Sequence, residues 1–88
     1  MFALQMDKKL SFLKAISDDT RIKILEFLRN GEQCACNIVP YAKKSQPNVS
    51  LHLKKLEDAG IIKSRKDGTK VIYKIVDKRA VKILGILK

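Results

Sequence analysis

Residues 45–60 read SQPNVSLHLKKLEDAG and are predicted to form one helix with a defined beginning and end. Ser45 can cap the helix with its hydroxyl, and Pro47 falls in the first turn, where its missing N–H costs nothing. Gly60 can adopt the left-handed conformation that commonly ends a helix. The apolar residues recur at helical spacing and should form the buried face. They are Val49, Leu53, Leu56 and Ala59.

The opposite face of this helix carries short polar and basic side chains around one leucine. Amide and hydroxyl groups can donate to and accept from base edges, and lysines suit phosphates. A solvated amphipathic helix is the simpler alternative, and the helix alone does not decide between them. The candidate DNA-binding residues are Gln46, Asn48, Ser50, Leu51, Lys54 and Lys55.

The segment that follows the helix favours DNA recognition because it is predicted to be a basic hairpin. Residues 61–66 and 70–76 alternate in polarity, and Asp67-Gly68 between such runs is a strong hairpin signal. A hairpin placed after a recognition helix is a wing that can lie along the DNA backbone. The alternative is that its charges only aid solubility. Its tip carries Arg65, Lys66 and Lys70.

The net charge of +10 also points to a polyanion, either nucleic acid or an anionic membrane surface. Residues 1–33 contain six basic and five acidic residues, so +9 of this charge lies in residues 34–88, with the predicted recognition helix. A lysine-rich composition that serves solubility or adaptation to heat is the simpler alternative. The chain has no Gly-rich phosphate loop, no paired acid–base groups and one histidine, so an enzyme is not expected.

The length of 88 residues predicts a single domain, residues 1–88, with a limited core, for which dimerisation is a common remedy. The hydrophobic content of 45% indicates a folded chain. No apolar run reaches the length of a bilayer span, and the first residues lack the features of a signal peptide. We therefore expect a cytoplasmic protein with no membrane partner.

Besides the recognition helix and the hairpin, three further helices are predicted. The first runs from about Leu4 to Ile16 and is apolar on two sides, which predicts two partners, the core and a second subunit. The second follows a cap at Ser17 or Asp18 and ends at Asn30-Gly31. The last extends from Asp77 to Leu87 and should pack beside the first. The two stripes of the first helix are Met6, Leu10 and Leu13, and Phe12 and Ile16.

A short helix is predicted before the recognition helix. Because proline is tolerated only in the first turn, Pro40 places the start of this helix near Asn37, a good cap. Residues 43–45 then form a tight turn, which makes a helix-turn-helix. The predicted fold is mainly α with a small β-hairpin: a winged helix-turn-helix of five helices and a two-stranded wing, with dimerisation helices at both ends.

Three segments resemble the ArsR/SmtB family of metalloregulatory repressors. Residues 15–25, AISDDTRIKIL, are similar to the family's opening segment, and residues 46–60 are similar to its recognition helix. Residues 32–38, EQCACNI, resemble the metal-binding box of its arsenite-sensing branch. The resemblance implies a homodimeric repressor that binds double-stranded DNA at an inverted repeat. The alternative is a nucleic-acid or protein interaction module with structural cysteines and no metal response.

Cys34 and Cys36 are the metal-binding residues that this resemblance implies. Two residues apart, they are expected to be too close for an ordinary structural disulfide, and an intracellular chain should keep them reduced. Thiolates bind soft ions, so As(III), Sb(III) and Cu(I) are candidate effectors. Val39 stands where the box often has a third cysteine, and Leu51 replaces the family's usual arginine. The last helix offers only Asp77 to a zinc site of the zinc-sensing branch, so zinc is not expected.

Overall fold

A computed structural model describes the backbone of residues 2–87 and the side chains of residues 6–87. The described residues form five helices and three short strands, in the order that the sequence predicts apart from one additional strand. The elements are α1 Phe2–Ile16, α2 Asp19–Leu28, β1 Gln33–Cys34, α3 Ala35–Ala42, α4 Gln46–Asp58, β2 Ile62–Asp67, β3 Lys70–Ile75 and α5 Lys78–Ile86.

Side-chain caps fix where the helices begin. Asp18 accepts a hydrogen bond from the Arg21 amide at 3.0 Å, so it caps α2. Ser17 does not cap, because its hydroxyl donates to the Leu13 carbonyl of α1 instead. Each such cap satisfies an amide that has no partner within its helix. Ser45 caps α4 and Asp77 caps α5 in the same way.

The core lies between the predicted apolar face of α4 and the neighbouring helices. Val49, Leu53 and Leu56 are at most 2% exposed, which confirms that face. Side chains from every helix contribute, and Ile61 and Ile62 close the core at the base of the wing. The largest fully buried side chains are Ile24, Leu25, Ile38, Leu53, Leu56, Ile61, Ile62 and Val49.

The predicted hairpin forms the wing. β2 and β3 are antiparallel with Asp67 opposite Lys70, so the turn consists of Gly68 and Thr69. Gly68 has a φ of +65°, which suits a tight hairpin turn. The wing is the larger part of a three-stranded sheet in the order β1-β3-β2, because Gln33 and Cys34 pair with Tyr73 and Ile72.

The predicted start of α3 was wrong. The helix begins at Ala35, its cap is Cys34 rather than Asn37, and Pro40 lies in its second turn. The Cys34 sulfur accepts from the Cys36 amide at 3.0 Å, a cap that polar-residue rules do not anticipate. Pro40 has no N–H, so the Cys36 carbonyl loses its usual helical donor. The helix ends at Lys43, whose φ of 57° reverses the chain toward α4.

One apolar stripe of α1 lies largely on the surface. Phe12 and Ala15 face the core, whereas Met6, Leu10 and Leu13 are 39–49% exposed. The end of α5 shows the same property, with Ile86 79% and Leu87 63% exposed. Within the part of the chain that the structure describes, no helix is both long and apolar enough to cross a bilayer.

Candidate nucleic-acid interface and cysteine site

The polar face of α4 lies on the surface, as predicted. All six of its candidate DNA-binding residues are exposed, among them Leu51 with 52% of its surface accessible. Lys54 contacts Asp58 with Nζ 3.7 Å from Oδ2, but both side chains are mostly in water. Such a surface pair contributes little to stability, so Lys54 can exchange this carboxylate for a phosphate. The face is therefore free to meet a partner.

The wing places its three basic residues differently. Lys66 and Lys70 are exposed near the turn. Arg65 instead donates to Glu32, with Nη2 3.0 Å from Oε1 and Nε 3.4 Å from Oε2. This hydrogen bond lowers the pKa of Glu32. Arg65 thus joins the wing to the segment immediately before the cysteines, an ion pair that sequence analysis did not identify.

A second polar contact holds the wing against α4. The Ser64 hydroxyl of β2 donates to Glu57 Oε2 at 3.0 Å. Glu57 lies in the last turns of α4, so this bond joins the two candidate DNA-binding elements near their connection. The wing is consequently attached on one side to α4 and on the other to the cysteine segment.

Cys34 and Cys36 are joined in a disulfide, with their Cα atoms 5.1 Å apart. The expectation that the two cysteines are too close for an ordinary structural disulfide was therefore wrong. Cys34 is extended and Cys36 is in the first turn of α3, so the chain bends between them and brings the side chains together. Among the described residues, no three His, Cys, Asp or Glu side chains are placed to hold a metal ion.

A cavity of about 560 Å³ connects the cysteine pair with the candidate DNA-binding surface. Cys34, Cys36 and Val39 form one wall, and α4 and the wing form the others. Burial raises the pKa of Tyr73 in this cavity, so its phenol stays protonated. The residues that α4 and the wing contribute are Gln46, Val49, Ser50, Leu53, Thr69, Lys70, Val71 and Tyr73.

His52 lies on α4 but points away from the exposed face. Its side chain is 14% exposed, and its Nδ1 lies 3.0 Å from Arg21 Nη1 and 3.8 Å from Asp18 Oδ2. The Arg21 amide donates to Asp18 and is the main reason that the pKa of this carboxyl is lowered. Sequence analysis gave His52 no role, because its partners are more than 30 residues away along the chain.

Comparison with known proteins decides the family. Residues 18–64, which include α2, α3, α4 and the start of the wing, match the model of the bacterial regulatory proteins of the arsR family. The chain belongs to the ArsR family. Members of this family are regulatory proteins rather than enzymes, and the winged helix-turn-helix is the domain with which they bind DNA.

The sequence relatives of this ArsR-family chain agree. It is 44% identical to the HTH-type transcriptional regulator MJ1325 of Methanocaldococcus jannaschii, over 92% of both chains. It is 38% identical to a "probable mercury resistance operon repressor" of Streptomyces lividans, over 93% of this chain and 66% of that one. It is 44% identical to an arsenical resistance operon repressor of Staphylococcus aureus, over 77% and 66%.

A solved structure confirms the fold of this family member. The homodimeric winged helix-turn-helix DNA-binding domain of Mb0332 from Mycobacterium bovis superposes with a TM-score of 0.88 at 24% identity. The superposition covers 97% of this chain and 79% of that one. The prediction of five helices and a hairpin wing is therefore confirmed, with β1 as an addition.

Proposed function

We propose that this ArsR-family chain is a dimeric repressor that a thiophilic ion, bound by Cys34 and Cys36, releases from its operator. The cavity shared by the two cysteines, the recognition helix α4 and the wing carries this proposal. Cys34 and Cys36 line the same cavity as Gln46 and Ser50 of α4. An ion bound by the sulfur atoms would therefore lie close to side chains proposed to read bases. The effector and the DNA would therefore act on adjacent surfaces.

In this proposal α4 enters the major groove and reads bases. Gln46, Asn48, Ser50 and Leu51 would contact base edges, and Lys54 and Lys55 would contact phosphates. Lys66 and Lys70 of the wing, and Arg65 when it leaves Glu32, would add contacts to the backbone that are independent of sequence. The exposure of all these residues supports the assignment.

A homodimer would bring two copies of α4 to one face of the DNA. The exposed leucine and methionine stripe of α1 and the exposed end of α5 support this arrangement, because apolar surface of this kind is stabilised by burial. Mb0332, which shares the fold, is homodimeric. Two recognition helices would then meet successive major grooves about 34 Å apart on an inverted repeat of double-stranded DNA. A repressor of this kind acts in the cytoplasm.

The cysteine pair suits a soft ion once the disulfide is reduced. The Cys36 amide donates to the Cys34 sulfur at the start of α3, an arrangement that favours a thiolate. Two thiolates complete the coordination of Cu(I) or Hg(II), whereas As(III) or Sb(III) would need a third ligand such as hydroxide. Relatives named for mercury and for arsenical resistance support this class of effector.

The short connection between α3 and α4 supports coupling between ion and DNA. Two thiolates that bind one ion would fix the chain around Ala35 and shift the first turn of α3. Only residues 43–45 separate α3 from α4, so the turn cannot absorb such a shift. β1 pairs with β3, so the same displacement would reach the wing. Both DNA-binding elements would then leave the arrangement that fits the operator.

Operator binding by the reduced protein, titrated with arsenite and separately with Hg(II), tests this proposal. The parent chain should dissociate from the operator, and a variant with Cys34→Ser and Cys36→Ser should bind normally and ignore both ions. Release of that variant would place the sensing site elsewhere. A parent chain that binds the operator but responds to no thiophilic ion would favour structural cysteines instead.

A further inference from the structure

We infer that Arg21 is a positioning residue that sets the orientation of the recognition helix relative to α1 through His52. The inference rests on the proposed function, since it concerns how α4 is held for operator binding. It is based on a hydrogen-bonded cluster that lies outside both the exposed face of α4 and the cysteine site.

The side chain of Arg21 links three helices. Its Nε donates to the Ala15 carbonyl at 2.5 Å and its Nη2 donates to the Lys14 carbonyl at 3.2 Å, so two groups hold the last turn of α1. Its Nη1 lies 3.0 Å from Nδ1 of His52 on α4. Arg21 itself belongs to the first turn of α2. One side chain thus connects the end of α1, the start of α2 and the middle of α4.

The hydrogen-bond chemistry of the cluster assigns the role of Nδ1 of His52. Arginine only donates, so Nδ1 is the acceptor of the contact with Nη1 of Arg21. Asp18 Oδ2 lies 3.8 Å from the same nitrogen and accepts from the Arg21 amide, so Asp18 and Arg21 both face this edge of the ring. A side chain without an acceptor at this position cannot form the contact with Arg21.

Directional contacts of this kind fix what apolar packing leaves adjustable. Apolar burial of α4 on the core is non-directional, whereas a planar guanidinium with three acceptors tolerates little movement. His52 lies between exposed Leu51, on the proposed DNA-reading face, and buried Leu53. A rotation that breaks the contact with Arg21 would therefore also turn Leu51 and its neighbours away from their base edges.

The cluster matters for the choice of DNA sequence because it joins α4 to α1. The exposed stripe of α1 is the proposed dimer surface, so the cluster connects that surface to the helix that enters the groove. The two copies of α4 in the dimer must fit two major grooves at a fixed separation. Because the dimer is symmetric, a change in the orientation of α4 occurs in both subunits. Contacts to bases depend on this match, whereas contacts to phosphates are far more tolerant.

Two substitutions of His52 test the inference, with an operator first selected from random duplexes. His52→Gln offers an amide oxygen to Arg21 and should retain specific binding within a few-fold. His52→Leu offers no acceptor and should weaken operator binding about 10- to 100-fold, the range expected for a lost hydrogen bond to a charged group. Binding to an unrelated duplex, and the salt dependence of that binding, should be unchanged in both.

Arg21→Lys provides a second, independent test because it keeps the charge and removes the planar fork. It should lower operator preference as His52→Leu does, and the two changes together should cost no more than either alone. Denaturant unfolding establishes whether each variant is folded. If His52→Leu does not fold, the comparison of Arg21→Lys with His52→Gln still decides the test.

Three results would overturn the inference. They are equal operator preference in His52→Gln and His52→Leu, additive losses in the double variant, and a parallel fall in specific and non-specific binding. A parent chain without any operator preference would instead contradict the proposed function, so the two failures are distinguishable.

Discussion

At the scale of single residues, the ion pair between Arg65 and Glu32 restrains a wing cation that would otherwise be available to DNA. Glu32→Gln should free Arg65 and raise affinity for any duplex. One additional phosphate contact per subunit should steepen the log–log salt dependence by about 0.9 per subunit. Fluorescence anisotropy on an unrelated duplex between low and high salt would measure this.

Glu26→Gln is the matched control for that experiment. Glu26 is also an acidic residue paired with an arginine, since its Oε1 lies 3.6 Å from Arg29 Nη1 on α2. Glu26→Gln removes the same charge and should raise the affinity for DNA less than Glu32→Gln does. It should leave the slope of the salt dependence unchanged. If both substitutions steepen the slope equally, net charge alone explains the effect and Arg65 does not reach DNA.

Asp77 predicts how stability depends on pH. It caps α5 and accepts from the Arg79 side chain at 2.7 Å, and this hydrogen bond is the main reason that its pKa lies below the usual 3.8. A carboxylate with a lowered folded pKa stabilises the protein above the unfolded value, and the stabilisation is lost as pH falls through the folded value. Asp77→Ala should therefore cost about 0.5–2 kcal/mol at pH 7.

Urea unfolding at pH 7 and near pH 3 measures this difference in the free energy of unfolding. The gap between parent and Asp77→Ala should narrow at the lower pH. Asp77→Asn retains a capping oxygen without the charge. Its free energy of unfolding at pH 7 should lie between that of the parent chain and that of Asp77→Ala. A gap of equal size at both pH values would show that the carboxylate charge contributes nothing.

At the scale of elements, α4 and the wing were predictable because their signals are local. Ser45, Pro47 and Gly60 fix the ends of α4, and Asp67-Gly68 fixes the turn.

β1 was not predictable, because two residues carry no periodicity and only pairing with β3 makes them a strand. The start of α3 was misplaced because the Cys34 sulfur caps the helix and Pro40 is tolerated in its second turn. The contacts Arg21–His52 and Glu32–Arg65 span 31 and 33 residues and leave no local signal.

The polar face of α4 gives the prediction that belongs to this scale. Asn48→Ala with Ser50→Ala should flatten the preference among operator variants, since each lost base contact costs roughly 1–3 kcal/mol of discrimination. Affinity for an unrelated duplex should change little, because Lys54 and Lys55 remain. Binding measured across single-base operator variants checks this. An unaltered preference would remove these two residues from the reading face.

At the scale of the whole molecule, the exposed stripe of α1 predicts the oligomeric state. Leu13, 49% exposed, should be buried against the partner. Full burial of a leucine contributes about 1.5–3 kcal/mol, so the exposed half contributes about half of that. A two-fold interface loses this contribution twice, so Leu13→Lys should weaken the dimer at least about 10-fold. Sedimentation at micromolar concentration would show a monomer.

Val76→Lys is the control for the loss of the dimer. Val76 is 37% exposed but belongs to the segment between the wing and α5, and it is not part of the exposed stripe of α1. This variant should sediment as the parent does. A parent chain that is monomeric without DNA, or a Leu13→Lys variant that remains dimeric, would contradict an interface built on α1.

The central claim is that the cysteine pair and the DNA-binding surface are coupled, and coupling is reciprocal. The affinity of the reduced protein for Hg(II) or arsenite should therefore be measured with and without saturating operator, beside the operator affinity with and without the ion. We expect the two ratios to agree and to lie between about 5 and 150, the usual range of such coupling. An ion affinity that is the same in the presence and absence of the operator would contradict the account.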